Sequence, residues 1–171
     1  MRKDKIITIT GPSGSGKTFA AEFIEEVYGI LMIQSWTDRP KRYENENGHT
    51  FISKEEFDKL DVNDMIALTN FGGYRYCCLK SDVKDINTYV IDDKGVDYLE
   101  EHYKDVYDIV KIYINRPLSE RKKIVDEERL KRDEKMFYKP LSDFDYVIQN
   151  DSDIENFKKQ IKIVIRDITK K

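Results

Sequence analysis

A chain of 171 residues suffices for one compact α/β domain with a core of its own and small inserted subdomains. Acidic residues number 33 against 30 lysines and arginines, a formal net charge of −3, which argues against a general nucleic-acid or membrane-surface partner. No apolar run approaches the ~20 residues of a membrane span, and the lead-in from Met1 to Lys5 lacks a signal-peptide pattern, so a cytoplasmic protein is expected.

In chain order, the first element is a short β-branched strand over 6–10 that runs into Gly11-Pro12-Ser13-Gly14-Ser15-Gly16-Lys17-Thr18. The spacing G-x-x-x-x-G-K-T between a strand and a helix is the Walker A arrangement. Glycines at 11, 14 and 16 let backbone N–H groups turn inward onto phosphate oxygens, with Ser13 and Ser15 in the same loop. The helix opening at Gly16 adds its positive end. Lys17 is then placed to reach the β- and γ-phosphates, and the Thr18 hydroxyl to ligate Mg²⁺, which implies ATP as the bound nucleotide. A plain Gly/Ser turn beside an exposed lysine is the competing reading, and it leaves the flanking strand and helix without a reason.

The following helix places Phe19, Phe23 and Val27 on one face, extended by Ala20, Ile24 and Tyr28, and stops at Gly29. Residues 29–33 read as a second short strand, 34–48 as a polar loop, and 50–52 as a brief strand. Ser53 with Glu56 forms a capping box for a helix through Leu60. Residues 65–79 alternate about Gly72-Gly73 as a hairpin does. The adjacent Cys77 and Cys78 cannot staple distant segments and read as free thiols rather than a strained vicinal disulfide. Residues 88–91 form a buried strand ending at Asp92-Asp93, 95–102 a helix, and 109–114 another apolar strand. Pro117 ends that strand, and Ser119 can cap a charged helical region to about Tyr138. Residues 144–148 are the last strand, and 154–168 the last helix, with Ile154, Phe157, Ile161, Ile165 and Ile168 on one stripe. Strands alternating with helices predict an α/β, three-layer P-loop NTPase fold with a parallel central sheet. The core takes 1–33, 80–120 and 138–171; 34–79 is a small β-rich acceptor-binding insertion, and 121–137 a short lid.

A Walker A loop fixes the donor and leaves the acceptor open. In Ser35-Trp36-Thr37-Asp38-Arg39-Pro40-Lys41-Arg42, Arg39 and Arg42 bracket a stiffening proline, so two guanidinium forks can converge on one anion. A solvated basic loop is the bland alternative.

At these residues the chain resembles the guanylate kinase family of nucleoside monophosphate kinases, whose acceptor loop reads S-x-T-T-R-x-P-R. Ser35, Thr37, Arg39 and Arg42 match it, while Asp38 stands for the second threonine and the proline is one place early. The resemblance continues through Phe51 to Phe57, similar to F-V-S-x-E-E-F, through Phe71 to Tyr76, through Asp92 to Gly95, and through Asp145 to Asp151, similar to D-Y-V-I-x-N-D. It implies that Ser35, Arg39, Arg42, His49 and Tyr76 hold the acceptor, His49 standing where the family has a tyrosine. It also implies that Asn150 lies beside the donor nucleotide, that Asp92 serves base or metal, and that Arg129 and Arg132 clamp phosphates, with Arg121 a weaker candidate.

The departures fall on the base. The glutamate by which the family reads guanine is Ala67 here, and the small hydroxyl residue that also faces the base is Cys78. A methyl group cannot accept the hydrogen bonds that guanine donates. The family's earlier strand aspartate is Val90, leaving Asp92 or Asp93 for the metal. The expectation is therefore ATP- and Mg²⁺-dependent phosphoryl transfer to a small phosphate-bearing acceptor, a nucleoside or deoxynucleoside monophosphate whose base need not be guanine. The protein doing it would be a monomer or homodimer. The rivals are a kinase for a sugar phosphate such as ribose 1,5-bisphosphate, and a non-catalytic ATP-binding or scaffold domain.

Overall fold

The structure is a computed structural model and describes residues 3–170, so the first two residues of the lead-in lie outside it. Strand β1 (Lys5–Thr10) is buried along its whole length. It is the central strand of a parallel sheet ordered β6-β1-β7-β8, with β6 Ile86–Val90, β7 Asp108–Asn115 and β8 Tyr146–Gln149. Alternation along β1 feeds two cores. Ile7 and Ile9 join the cluster under α1 (Lys17–Tyr28) and α6 (Ile154–Lys170), while Ile6 joins the cluster under α3 (Asp93–Tyr103). A sheet covered on both faces needs apolar residues at successive positions, which is why β1 reads as a run rather than an alternation. The α6 stripe of Phe157, Ile161, Ile165 and Ile168 is buried as expected, but Ile154 is exposed.

Residues 29–33 do not form a full strand. A single parallel bridge from Met32 to Thr88 extends the sheet edge beyond β6, supported by Ile33 N–H to the Thr88 carbonyl and Thr88 N–H to the Leu31 carbonyl. The face of α1 also differs from the expected one. Ala20, Ala21 and Ile24 are its buried residues, and Phe19 and Val27 are exposed, because the sheet approaches the small side chains rather than the large ones.

The insertion forms its own sheet, ordered β3-β2-β5-β4, from β2 Ser35–Thr37, β3 His49–Phe51, β4 Met65–Phe71 and β5 Tyr74–Leu79. Residues 35–37, expected within a loop, are a strand that pairs parallel with β3 and antiparallel with β5. Helix α2 (Lys54–Phe57) has the Ser53/Glu56 capping box but only four residues. Its Phe57 packs with Met65 and Cys77 in a small separate core. The lid region is two helices, α4 (Leu118–Arg121) and α5 (Glu127–Met136). Ser119 lies inside α4, and Asp126 is the residue that caps α5, accepting the Arg129 N–H. Among the described residues no helix is long and apolar enough to cross a membrane.

Candidate functional site

The loop from Gly11 to Thr18 joins the C-terminal end of β1 to α1. Gly11, Gly14 and Gly16 have φ of 151°, 75° and 104°, conformations that L side chains rarely adopt. The close approaches at these glycines are made by the protein itself. A Cβ at Gly11 would lie 2.6 Å from the Ile114 carbonyl oxygen, and one at Gly14 2.6 Å from the Val125 side chain of the lid. Whereas Ser53, Asp92 and Asp126 cap α2, α3 and α5, α1 has no side-chain cap and no acidic residue in its first turn. Its N-terminal N–H groups are thus left for an anion from outside the chain. Asn150 donates to the Ser15 carbonyl at 2.8 Å, and its backbone N–H bonds the Asn115 carbonyl. That makes Asn150 a brace behind the loop. Arg116, in the turn that follows β7, braces the loop by donating to the Gly14 carbonyl.

Lys17 folds back and donates to the Pro12 carbonyl at 3.0 Å. Burial lowers its pKa to about 8; Asp133 pushes it up, and Arg129, Arg121 and Arg132 push it further down. An ammonium in such a cationic neighbourhood is primed for phosphate. The Thr18 side of α1 is exposed.

One cavity of about 180 Å³ runs from Ser13, Lys17, Arg129 and Arg132 to Arg42, His49, Tyr76 and Asp92. The two arginines of the acceptor loop do not play equal parts in it. Arg39 is buried and fully engaged: its Nε donates to Tyr76 Oη at 3.0 Å, and Nη1 and Nη2 donate to the two oxygens of Glu46 at 3.2 and 2.7 Å. Glu46 also accepts the Arg42 backbone N–H at 2.6 Å. The Arg39 hydrogen bonds, helped by those from Arg42, pull the Glu46 carboxyl down to about 2. Arg39 therefore shapes the loop and does not line the cavity, while Arg42, with its side chain 53% exposed, reaches it. Asp38, the odd residue in the loop, accepts both the backbone N–H and the Nε of Arg75, tying the loop to β5. His49 lines the cavity between the rings of Phe51 and Tyr76, and its Nδ1 is buried with no partner. Burial, reinforced by Arg39, lowers the His49 pKa to about 4, so the ring is neutral near pH 7.

The part of the cavity where the family resemblance would put a base is lined by Ser35, Ala67, Thr69, Tyr89 and Asp92. Cys78 is corrected here. It is fully buried among Ile66 and Tyr89, behind the wall rather than on it, and both cysteines are free thiols whose pKa burial pushes up. A β-bulge between Ile66 and Thr69 carries Ala67 at φ 54° and sets Thr69 on the wall, a residue that the sequence pattern did not single out. Each of the two aspartates after β6 keeps one buried oxygen without a partner and has its pKa raised by burial, but only Asp92 lines the cavity. Asp93 accepts the N–H groups of Tyr138 and Lys139, anchoring the segment after α5. Asp92 accepts the Gly95 N–H with one oxygen, while the other is buried without a partner, and burial raises its pKa. An orphaned carboxylate oxygen on the cavity wall is chemically a fitting donor for a hard cation, whereas Thr18 is exposed and is not among the residues lining that cavity.

No protein-family model matches the chain. It is 32% identical to a guanylate kinase of Clostridium tetani over 88% of this chain and 80% of that one. A guanylate kinase of Fusobacterium nucleatum is 34% identical over 83 residues, a stretch spanning 47% of this chain and 45% of the relative. The crystal structure of guanylate kinase from Anaplasma phagocytophilum superposes with a TM-score of 0.70 at 25% identity, over 100% of this chain and 89% of that one.

Two outcomes follow from this part of the cavity. Glu46→Gln leaves the Arg39 guanidinium buried with its partner's negative charge gone, and the denaturant midpoint should fall by the equivalent of about 3–5 kcal/mol. Unchanged stability would show that Arg39 can find water instead. His49 yields a pH signature. Between pH 4 and 6.5 the unfolded chain takes up a proton at this ring that the folded chain refuses. Stability is thus full above that window and declines as pH falls through it, by about 3 kcal/mol at most. Thermal melts of His49→Phe should lose this part of the acid decline, and identical acid limbs in the two proteins would contradict it.

Proposed function

The chain belongs to the guanylate kinase family, and on that premise we propose that it moves the γ-phosphoryl group of ATP onto the phosphate of a nucleoside or deoxynucleoside monophosphate. The observation that carries this reading is the single cavity with a phosphate-seeking loop at one end and the acceptor loop at the other. Two phosphate groups that must meet in line would find cationic groups on both sides: Lys17, Arg129 and Arg132 towards the donor, Arg42 towards the acceptor. Catalysis of this kind is positioning plus stabilisation of charge on the transferring group. The loop N–H groups and Lys17 would hold the donor phosphates, and the lid arginines would close on them. Mg²⁺, held by Thr18 and Asp92, would draw off phosphate charge. Arg42, His49 and Tyr76 would hold the acceptor phosphate, with Arg39 and Glu46 fixing the shape of their loop. The attacking phosphate oxygen is already ionised near neutral pH, so no general base is required.

On the base, we propose that guanine is not strongly preferred. Ala67 offers no acceptor to its donating edge, and the remaining polar groups on that wall are Ser35, Thr69, Tyr89 and Asp92. A site built to hydrogen-bond a polar edge can discriminate by about 10⁴–10⁵, whereas an apolar wall achieves far less.

A coupled assay with ATP, Mg²⁺ and each common nucleoside monophosphate tests both statements. Turnover of at least one is expected, and Lys17→Ala should lower kcat by about 10²-fold or more while leaving the fold intact by circular dichroism. Near-normal turnover by the folded variant would remove Lys17 from the mechanism. GMP should not exceed AMP, CMP, UMP and dTMP by about a hundredfold in kcat/KM; such a margin would mean that another group reads the guanine edge.

A further inference from the structure

The lid sends a carboxylate into the phosphate loop. Asp133, on the second turn of α5, is only 3% exposed although its side chain is ionisable. One carboxylate oxygen accepts the backbone N–H of Ser13 at 2.6 Å, and the other accepts from Arg132 Nη2 at 3.2 Å. The same Arg132 nitrogen lies 3.2 Å from Ser13 Oγ, and its guanidinium rests 4.5 Å from the centre of the Phe71 ring. Among the charged neighbours of Lys17, Asp133 alone favours its protonated form, against three arginines. A buried carboxylate is tolerated only where donors and positive charge compensate its lost hydration. Every compensating group here belongs to the loop or the lid: a loop N–H, a lid arginine and the field of the Walker lysine. These are the groups that a nucleotide phosphate would use.

Resting on the reading of this loop as the donor site, we propose that the Asp133 carboxylate is a built-in occupant of the donor-phosphate site, which a polyphosphate must expel in order to bind. Two anions cannot share the Ser13 N–H and the Lys17 field without strong repulsion in a site that excludes water. The contact also explains how a lid crowded with arginine can lie on the loop. Lys17, Arg129 and Arg132 would repel one another across the cavity, and the carboxylate sits among them as the balancing charge. Val125 packing against Gly14 adds an apolar seal on the same side. Expelling Asp133 frees Arg132 from it, so the step that opens the loop to phosphate also releases a cation to receive it. The device is self-inhibition relieved by the donor itself.

The test is direct calorimetric titration of the full-length chain with ADP and with inorganic tripolyphosphate, in wild type, Asp133→Asn and Asp133→Ala. Removing the competing charge should tighten binding by about tenfold to a hundredfold, the scale of one charge-assisted hydrogen bond. The Asn variant isolates charge from shape, since the amide oxygen can still accept the Ser13 N–H. Affinity equal to or weaker than wild type in both folded variants overturns the proposal, because a carboxylate that merely latches the lid would not compete. Binding by wild type with no gain in the variants sinks this inference and leaves the donor-site reading standing; no binding by any of the proteins sinks the donor-site reading, and this inference with it. Should the variants fail to fold, stopped-flow binding of tripolyphosphate to wild type decides. An observed rate that levels off with concentration is expected, because departure of Asp133 becomes limiting, and a strictly linear rise over the same range overturns the proposal.

Discussion

The rest of the structure depends on one unsatisfied constraint, the bare N-terminus of α1. A helix of twelve residues concentrates partial positive charge and unpaired N–H groups at its start. At α2, α3 and α5 a Ser or Asp cancels that field locally. Here the loop that would carry such a cap is bent back by three glycines with positive φ, and it is held open by its neighbours rather than by itself. Ile114 lies against Gly11, Asn150 holds the Ser15 carbonyl, and Arg116 holds the Gly14 carbonyl. These three come from β7, from the end of β8 and from the turn into the lid, so the whole parallel sheet positions the loop. The lid adds a carboxylate beside this site, Asp133, which accepts the Ser13 N–H in the loop rather than an N–H of α1.

The acceptor side solves the opposite problem, too many cations in a short loop. Arg39, Lys41 and Arg42 lie within four positions of one another. Glu46 resolves this by burying one guanidinium in a two-pronged ion pair and fixing the backbone of the other, so that only one guanidinium is presented. A buried pair of this kind adds little net stability compared with apolar packing, and its value lies in holding one geometry. Asp38 with Arg75 does the same one residue earlier, joining the loop to the hairpin. A threonine at position 38 could not hold a guanidinium in this way, so the departure from the family pattern is compensated within the insertion.

What was legible in the sequence was whatever chemistry or periodicity dictates locally. The loop from Gly11 to Thr18, the hairpin about Gly72-Gly73, the capping box at Ser53 and the buried stripe of α6 all follow from short-range rules. What was not legible depended on which distant group arrives. The strand at Ser35–Thr37 exists because β3 and β5 flank it, not because three residues in a charged segment favour extension. The α1 face turned out to be Ala20, Ala21 and Ile24 because closeness to the sheet outweighs side-chain size. Arg39 could be recognised as a cation but not as one already engaged, since its partner is seven residues away across a turn. Cys78 could be aligned with a base-facing position but not seen to be walled off by Tyr89. Asp133 sits in a run of charges that reads as a solvated helix face, and only the docking of α5 on the loop gives it a role.

Phosphate and base recognition differ in how much sequence change they withstand, and the proposed reading of this chain turns on that difference. Phosphate is held by backbone N–H groups, a helix end and a few cations, and most of that set depends on backbone shape, which three glycines and a buried strand preserve. Base identity depends on one or two side-chain atoms at a wall. In this cavity wall a bulge carries the strained Ala67, a methyl group where the family pattern has an acceptor, and Thr69 joins the lining. A positive φ at a residue with a Cβ costs about 1 kcal/mol or more and persists only where the surroundings demand it. Here the surroundings are the extra residue of β4 against β5 and the packing of Ala67 with Tyr89 and Ile91. The strained conformation is therefore part of the shape of the base wall. On the proposed reading, a kinase fold can keep its reaction while this wall changes, because the wall would touch the acceptor far from the phosphate that reacts.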